Sequence, residues 1–146
     1  MELELSAAQV APAQTEGDWR RDRRALGARG EEVAVRSLAE RGWTILGRNW
    51  RSGYGEVDII ALDPRAESSV VSLIEVKTRL ATDPQEVMPE EAVDERRQER
   101  YTNAARIFLQ ANEWVSRVRF DVIAITVTDD DVGHLHQLNG AYEVRP

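Results

Sequence analysis

One helical stretch, three strand runs, a second helical stretch and two more strand runs follow one another along this chain, and that order limits its fold more than any other feature. From about Trp19 to Arg41, the residues Leu26, Gly30, Val33, Ala34, Ser37 and Leu38 recur at helical spacing and make one stripe. Asp18 is placed to cap this helix and Gly42 to stop it. Strand runs follow at about Thr44–Arg51, Glu56–Leu62 and Val70–Arg79, with a Ser52-Gly53-Tyr54-Gly55 turn between the first two. An acidic loop holding Pro84 and Pro89 leads into a second helix from about Pro89 to Asn112. Its apolar stripe is Val93, Tyr101, Ala104, Ala105, Phe108 and Leu109; Arg97 falls on that stripe, with Arg96 and Arg100 beside it. Arg119–Val127, rich in branched residues, reads as a central strand, and about Gly133–Leu138 as the last. The pattern predicts an α/β domain with a mixed sheet flanked by helices. Residues 1–18 have no useful period and read as a flexible tail, leaving 19–146 as a single domain.

A chain of 146 residues suffices for one domain with a real core. No apolar run approaches the roughly 18 residues of a membrane span. The Met-Glu-Leu-Glu start lacks the basic and apolar regions of a secretory signal, so a cytoplasmic protein with no membrane partner is expected. The absence of cysteine excludes disulfides, thiolate zinc sites and cysteine nucleophiles, and two histidines are too few for a histidine-rich metal site. A net charge of −7 argues against a protein that simply coats nucleic acid. The charge is uneven, however. Trp19–Arg51 carries nine arginines against four acids, and Arg96–Arg119 six against two. Such runs suit a nucleic-acid partner, although they more commonly line solvated helix faces.

Lys77 is the single lysine of a chain with 18 arginines. Its compact ammonium differs in chemistry from a guanidinium fork. It follows Glu75 by two residues, so strand alternation puts both on one face. If the second and third strands pair as neighbours, Asp58 joins them there. Carboxylate oxygens suit Mg²⁺, which keeps several waters and can touch phosphate oxygens. An ammonium nearby can orient an attacking water or offset developing charge. Three charged groups on apolar strands cost stability unless a ligand or partner satisfies them. The simpler alternative, an ion pair on a half-exposed sheet, is the commoner outcome of this spacing by itself.

An acid on one strand followed by Glu-x-Lys on the next resembles the PD-(D/E)XK nuclease superfamily. A longer pattern is more specific. Leu26-Gly27, Gly30-Glu31 and Ala34 are followed by Leu46, Arg48-Asn49 and Arg51, then by Gly55-Glu56-Val57-Asp58-Ile59-Ile60-Ala61 and Glu75-Val76-Lys77-Thr78-Arg79. With Ala92-Val93, Ala104-Ala105 and Arg119-Phe120-Asp121-Val122, this resembles the YraN-type family of bacterial proteins over roughly residues 25 to 143. The family is similar in fold to archaeal Holliday-junction resolvases. The resemblance implies a restriction-endonuclease-like sheet and a metal-dependent endonuclease acting on DNA, including branched or structured DNA, with Mg²⁺ or Mn²⁺ as cofactor. It makes Asp58 and Glu75 metal ligands, the carbonyl of Val76 a third, Lys77 the group acting on the nucleophile, and Glu31 a further acid near the metal. For Glu31 a plain helix-surface role stays open. Glu56 shares the face of Asp58 in a regular strand and either supports the site or satisfies turn backbone. Symmetric cleavage of a junction would require a homodimer. The rival expectation is a catalytically silent nucleic-acid-binding or adaptor protein that keeps the fold.

Three positions depart from the pattern. Val57 stands where the superfamily has Pro, Arg97 where the family has Lys early in the second helix, and Asn139-Gly140-Ala141-Tyr142 carries an extra residue. Arg48, Asn49, Arg51 and Arg97 are candidate contacts to a nucleic-acid backbone. Trp43 and Trp50 are candidates for base stacking, with a core role favoured for Trp43. Glu32 is placed to pair with Arg36. His134 and His136 read as edge-strand residues, and Asp129-Asp130-Asp131 as a solvated turn.

Overall fold

The computed structural model describes residues 2–9, 19–81 and 95–146. Its elements are β1 (Glu2–Gln9), α1 (Arg23–Glu40), β2 (Thr44–Arg51), β3 (Glu56–Leu62), β4 (Val70–Leu80), α2 (Glu95–Ala111), β5 (Arg117–Val127) and β6 (Val132–Val144). The strands form one sheet in the order β1-β6-β5-β4-β3-β2. β4 and β5 are parallel, and the remaining neighbours are antiparallel. A parallel pair needs a long crossover, and the segment carrying α2 supplies it. The α/β reading is borne out: a mixed sheet lies between two helices.

Each helix covers one face. Leu26, Val33, Ala34 and Leu38 of α1 pack on Ile59, Ala61, Ile74, Ile123, Ile125 and Leu135. Tyr101, Ala104 and Ala105 of α2 pack on Val57, Ile60, Val71, Leu73, Val118 and Phe120. α1 reaches closest at Gly30, where an added Cβ would collide with the Thr78 side chain of β4. Only glycine lets the helix lie that near the strand, and the next residue is Glu31. The helix ends in a full Schellman turn, with Trp43 N–H donating to the Leu38 carbonyl (3.0 Å), Gly42 N–H donating to that of Ala39 (3.1 Å), and Gly42 at φ +85°.

Several expectations are corrected. The helix starts at Arg23, and its cap is Asp22, whose Oδ1 accepts from Arg24 N–H (2.9 Å). Trp19 buries its indole in the α1-side core, and Arg20 donates to the Thr128 carbonyl (2.7 Å) and pairs with Asp131, so Trp19–Arg21 is tied to the β5–β6 turn instead of joining the helix. A flexible tail does not hold over Glu2–Gln9, which pairs antiparallel with β6. The unpaired edge of β6 offers a row of N–H and C=O groups, and β1 satisfies it. His134 and His136 are therefore not on an edge strand, and His136 is buried. The extra residue near Gly140 forms a bulge in β6, with Gly140 at φ +71°. Asp18, the acidic loop with Pro84 and Pro89, and Val93 lie outside the described residues. Among the described residues, no helix is long and apolar enough to cross a membrane.

Candidate active site

The β3–β4 ladder runs from Ala61↔Ser72 to Ile59↔Ile74. The ladder ends there, and just beyond it Asp58 lies near enough to Glu75 for each to act on the other's charge. Here the Asp58 side chain reaches across, and its Oδ2 accepts from the Val76 N–H at 2.8 Å. A strand residue's N–H and C=O leave from the same edge, so the Val76 carbonyl opens beside the same two carboxylates. Glu75 accepts from Arg97 of α2 at 2.9 Å, with side chains 12% and 24% exposed. Lys77 follows on the face of Glu75 and is exposed.

Burial is the first cause that pushes both Asp58 and Glu75 above their ordinary values, and each carboxylate is further raised by a neighbouring one: Asp58 by Glu56, Glu75 by Asp58. The Val76 N–H and the arginines Arg97 and Arg100 pull Asp58 down; Arg97, Lys77 and Arg100 do so for Glu75. Burial also raises Glu31, with Asp58 adding to it and Arg48 opposing. Glu31 is thus beside the group. Asn49 explains how it is held. This residue sits at φ +52°, and with its amide turned to satisfy both oxygens, its nitrogen donates to Glu56 Oε1 (2.7 Å) and Glu31 Oε1 (3.1 Å). Among the described residues, no three His, Cys, Asp or Glu side chains stand together as a metal-holding group. Two carboxylates and a backbone carbonyl are nonetheless the hard oxygen donors that Mg²⁺ accepts, because that ion keeps waters for its remaining positions. The donor set fits the ion in kind, with Arg97 standing on one of its members.

Among known proteins, the family model described as "Uncharacterised protein family UPF0102" matches residues 30–125. The chain is 46% identical over 110 residues to a UPF0102 protein of Rhodococcus opacus, covering 70% of this chain and 83% of that one. It is 39% identical over 126 residues to one of Pelobacter propionicus, covering 86% and 87%. This chain belongs to the UPF0102 family. The resemblance to YraN-type proteins is thereby borne out. The UPF0102 match takes in every carboxylate of the group, from Glu31 to Glu75, together with Arg97 and Arg100, and ends before β6. The family description names no activity, so the chemistry is argued from the site.

The remaining candidates separate. Arg48 pairs with Glu32 (3.0 Å), so Glu32 reaches across to β2 and not along the helix to Arg36. Arg51 lies 3.9 Å from Glu56 at the hairpin and is highly exposed. Trp43 is core, as expected, and lies under Arg41 and Arg119, each 5.7 Å from its ring. Trp50 packs edge-on against Phe108 (5.7 Å), which turns it toward α2. Two features are not evident from sequence. Arg100 lays its stem on Gly55, at φ +125°, where a Cβ would come within 2.5 Å of its Cδ. Arg119 donates to both oxygens of Asp121 (2.9 and 2.8 Å) and to Asp63 (3.1 Å), while Gly140 N–H donates to Asp121 (2.8 Å). The Arg119-Phe120-Asp121 string signals the first pair; nothing in sequence signals Asp63.

Proposed function

We propose that the chain is a metal-dependent endonuclease of the cytoplasm that hydrolyses phosphodiester bonds in DNA, with branched or structured DNA as substrate. The observation that carries this reading is the pair Asp58 and Glu75: two carboxylates close together just past the end of the β3–β4 ladder, desolvated, raised by burial and by a neighbouring carboxylate, and followed by the chain's single lysine. Asp58, Glu75 and the Val76 carbonyl would hold Mg²⁺ or Mn²⁺. Bound there, the ion would polarise a phosphoryl oxygen and acidify a water. Lys77 would hydrogen-bond the attacking oxygen and offset charge on the phosphate. Glu31, held through Asn49, would sit beside that water as a further acceptor. Arg51 and Arg97 would contact the DNA backbone; Arg48 and Asn49 instead spend their donors on Glu32, Glu31 and Glu56. Two symmetric cuts would need two sites, hence a homodimer.

The silent adaptor is favoured by a net charge of −7 and by an arginine standing on Glu75. A cleavage panel separates the two. Wild type and Lys77→Ala meet four-way junction, flap, single-stranded and duplex DNA with Mg²⁺, Mn²⁺ or chelator. The nuclease reading expects metal-dependent products that fall about 100-fold or more in the variant. Folded, metal-bound wild type that cuts none of these overturns it in favour of the adaptor.

A further inference from the structure

Among the described residues, two aromatic rings are exposed: Tyr54 (53%) and Trp114 (50%). Trp114 follows the far end of α2, which lies about 16 Å along the helix from Arg100. Tyr54 stands at the tip of the β2–β3 hairpin, four residues before Asp58, a reach of at most about 14 Å. A single exposed ring needs no ligand to explain it. This one is distinguished by its mounting and its neighbours. Ser52 closes the turn: its N–H donates to the Gly55 carbonyl (3.2 Å), and its Oγ accepts from the Tyr54 N–H (3.1 Å). The Arg100 stem crosses Gly55 and ties the turn to α2. The Tyr54 ring meets no other ring, and its hydroxyl has no hydrogen bond, among the described residues. A held main chain that carries an uncommitted ring loses little freedom when that ring is covered. Two guanidinium groups flank it. Arg51, at the foot of the turn, is 86% exposed; Arg100 is exposed and acts on the charges of both Asp58 and Glu75. A nucleic-acid backbone that follows these cations to the carboxylates brings its bases past Tyr54.

We propose that Tyr54 stacks on an unpaired base close to the scissile phosphate, and so selects DNA in which that base has no partner. This inference rests on the nuclease reading above, which seats the scissile phosphate at Asp58 and Glu75. Within a duplex each base face is covered by its neighbours, so a protein ring finds a face only where the stack is interrupted. Flap and single-stranded DNA therefore rank ahead of plain duplex and of a fully paired four-way junction. Stacking is indifferent to which base is met, so the preference is for structure and not for sequence.

The test uses flap DNA carrying 2-aminopurine, a base whose fluorescence falls when it is stacked, at successive unpaired positions. Binding is read with Mn²⁺ in a Lys77→Ala background that suppresses turnover, and cleavage is read in the wild-type background. Binding should quench the signal at one unpaired position or at two neighbours. Adding Tyr54→Ala should abolish that quench and weaken flap binding about fivefold or more, while duplex binding changes by less than about twofold. Tyr54→Phe, which keeps the ring, should retain both quench and affinity, and guards against a disturbed turn. An unchanged quench in Tyr54→Ala, or an equal loss of flap and duplex affinity, overturns the stacking role. Cleavage by Tyr54→Ala alone with the wild-type ratio of flap to duplex overturns it too, and leaves the nuclease reading standing. Wild type that neither binds nor cuts any of these DNAs overturns both.

Discussion

Two clusters of acids and arginines sit in this sheet, and they differ in how completely they are closed. Asp121 is 1% exposed, yet it accepts twice from Arg119 and once from the Gly140 backbone, while Arg119 also reaches Asp63. Burial leaves Asp121 above its ordinary value although Arg119 and the Gly140 N–H pull the other way; the two-pronged contact is that of a carboxylate with a guanidinium. Burial opposes Asp63 too, yet the Arg65 N–H and Arg119 hold it below its ordinary value. In the second cluster, Asp58, Glu75 and Glu31 are raised as well, by burial first and then by a neighbouring carboxylate, which is Glu56 for Asp58 and Asp58 for the other two. The first cluster has satisfied its charges and closes a bulge. The second sits where β3 leaves β4, with Glu75 on Arg97 and Asp58 on a backbone N–H. Closed clusters hold a fold; the less directly paired one, at a strand divergence, is where the proposed function would seat its cation.

The largest test of that contrast is Arg119→Met. It leaves Asp121 and Asp63 without their shared guanidinium and should cost about 3–5 kcal/mol in urea unfolding. A loss below about 1 kcal/mol would mean that the cluster is not closed as described. Next comes Gly30→Ala, which sets a methyl against Thr78 and should lower stability by about 1–3 kcal/mol. If the variant unfolds like wild type, the close approach that seats Glu31 is not rigid. The smallest effect has the opposite sign. Asp58 is raised from its ordinary 3.8, so its folded form holds the proton more tightly than its unfolded form. Its contribution to stability is complete below that value and is lost as pH climbs through the raised folded value. Asp58→Asn keeps an acceptor for Val76 N–H and removes that loss, so it should be about 1 kcal/mol more stable than wild type at pH 7 and equal to it in acid. Thermal unfolding across pH reads this directly; a destabilised variant at pH 7 would place Asp58 among the satisfied carboxylates.

Much of the frame was legible. The bounds of β2 and β3 coincide with the runs read from sequence, because a Ser-Gly-Tyr-Gly turn separates two stretches of strand character. The six stripe residues of α1 are its buried residues, because one helical period suffices to select them. Glu75 and Lys77 could be placed on one face by alternation alone. What escaped depends on partners far along the chain. Asp63 follows a strand and precedes Pro64, and so reads as turn chemistry; its bond to Arg119 exists only after β3 and β5 enter one sheet. Asn49 looked like a phosphate contact, and only its left-handed backbone turns it toward Glu31 and Glu56. β1 offers only Leu3 and Leu5 alternating with Glu2 and Glu4, too short a run to mark a strand until the backbone of β6 pairs with it.

That last pairing has a temporal consequence. Glu2 lies against Leu138, so β1 cannot pair until β6, which follows the other described strands in the chain, has been made. Closing so long a loop carries a large entropic cost before any ladder bond is gained. The ladder from β2 to β5 can assemble in the meantime, with β6 completing it. The site between β3 and β4 belongs to the part of the molecule that can form early, and β1 docks onto a sheet that β6 has just extended.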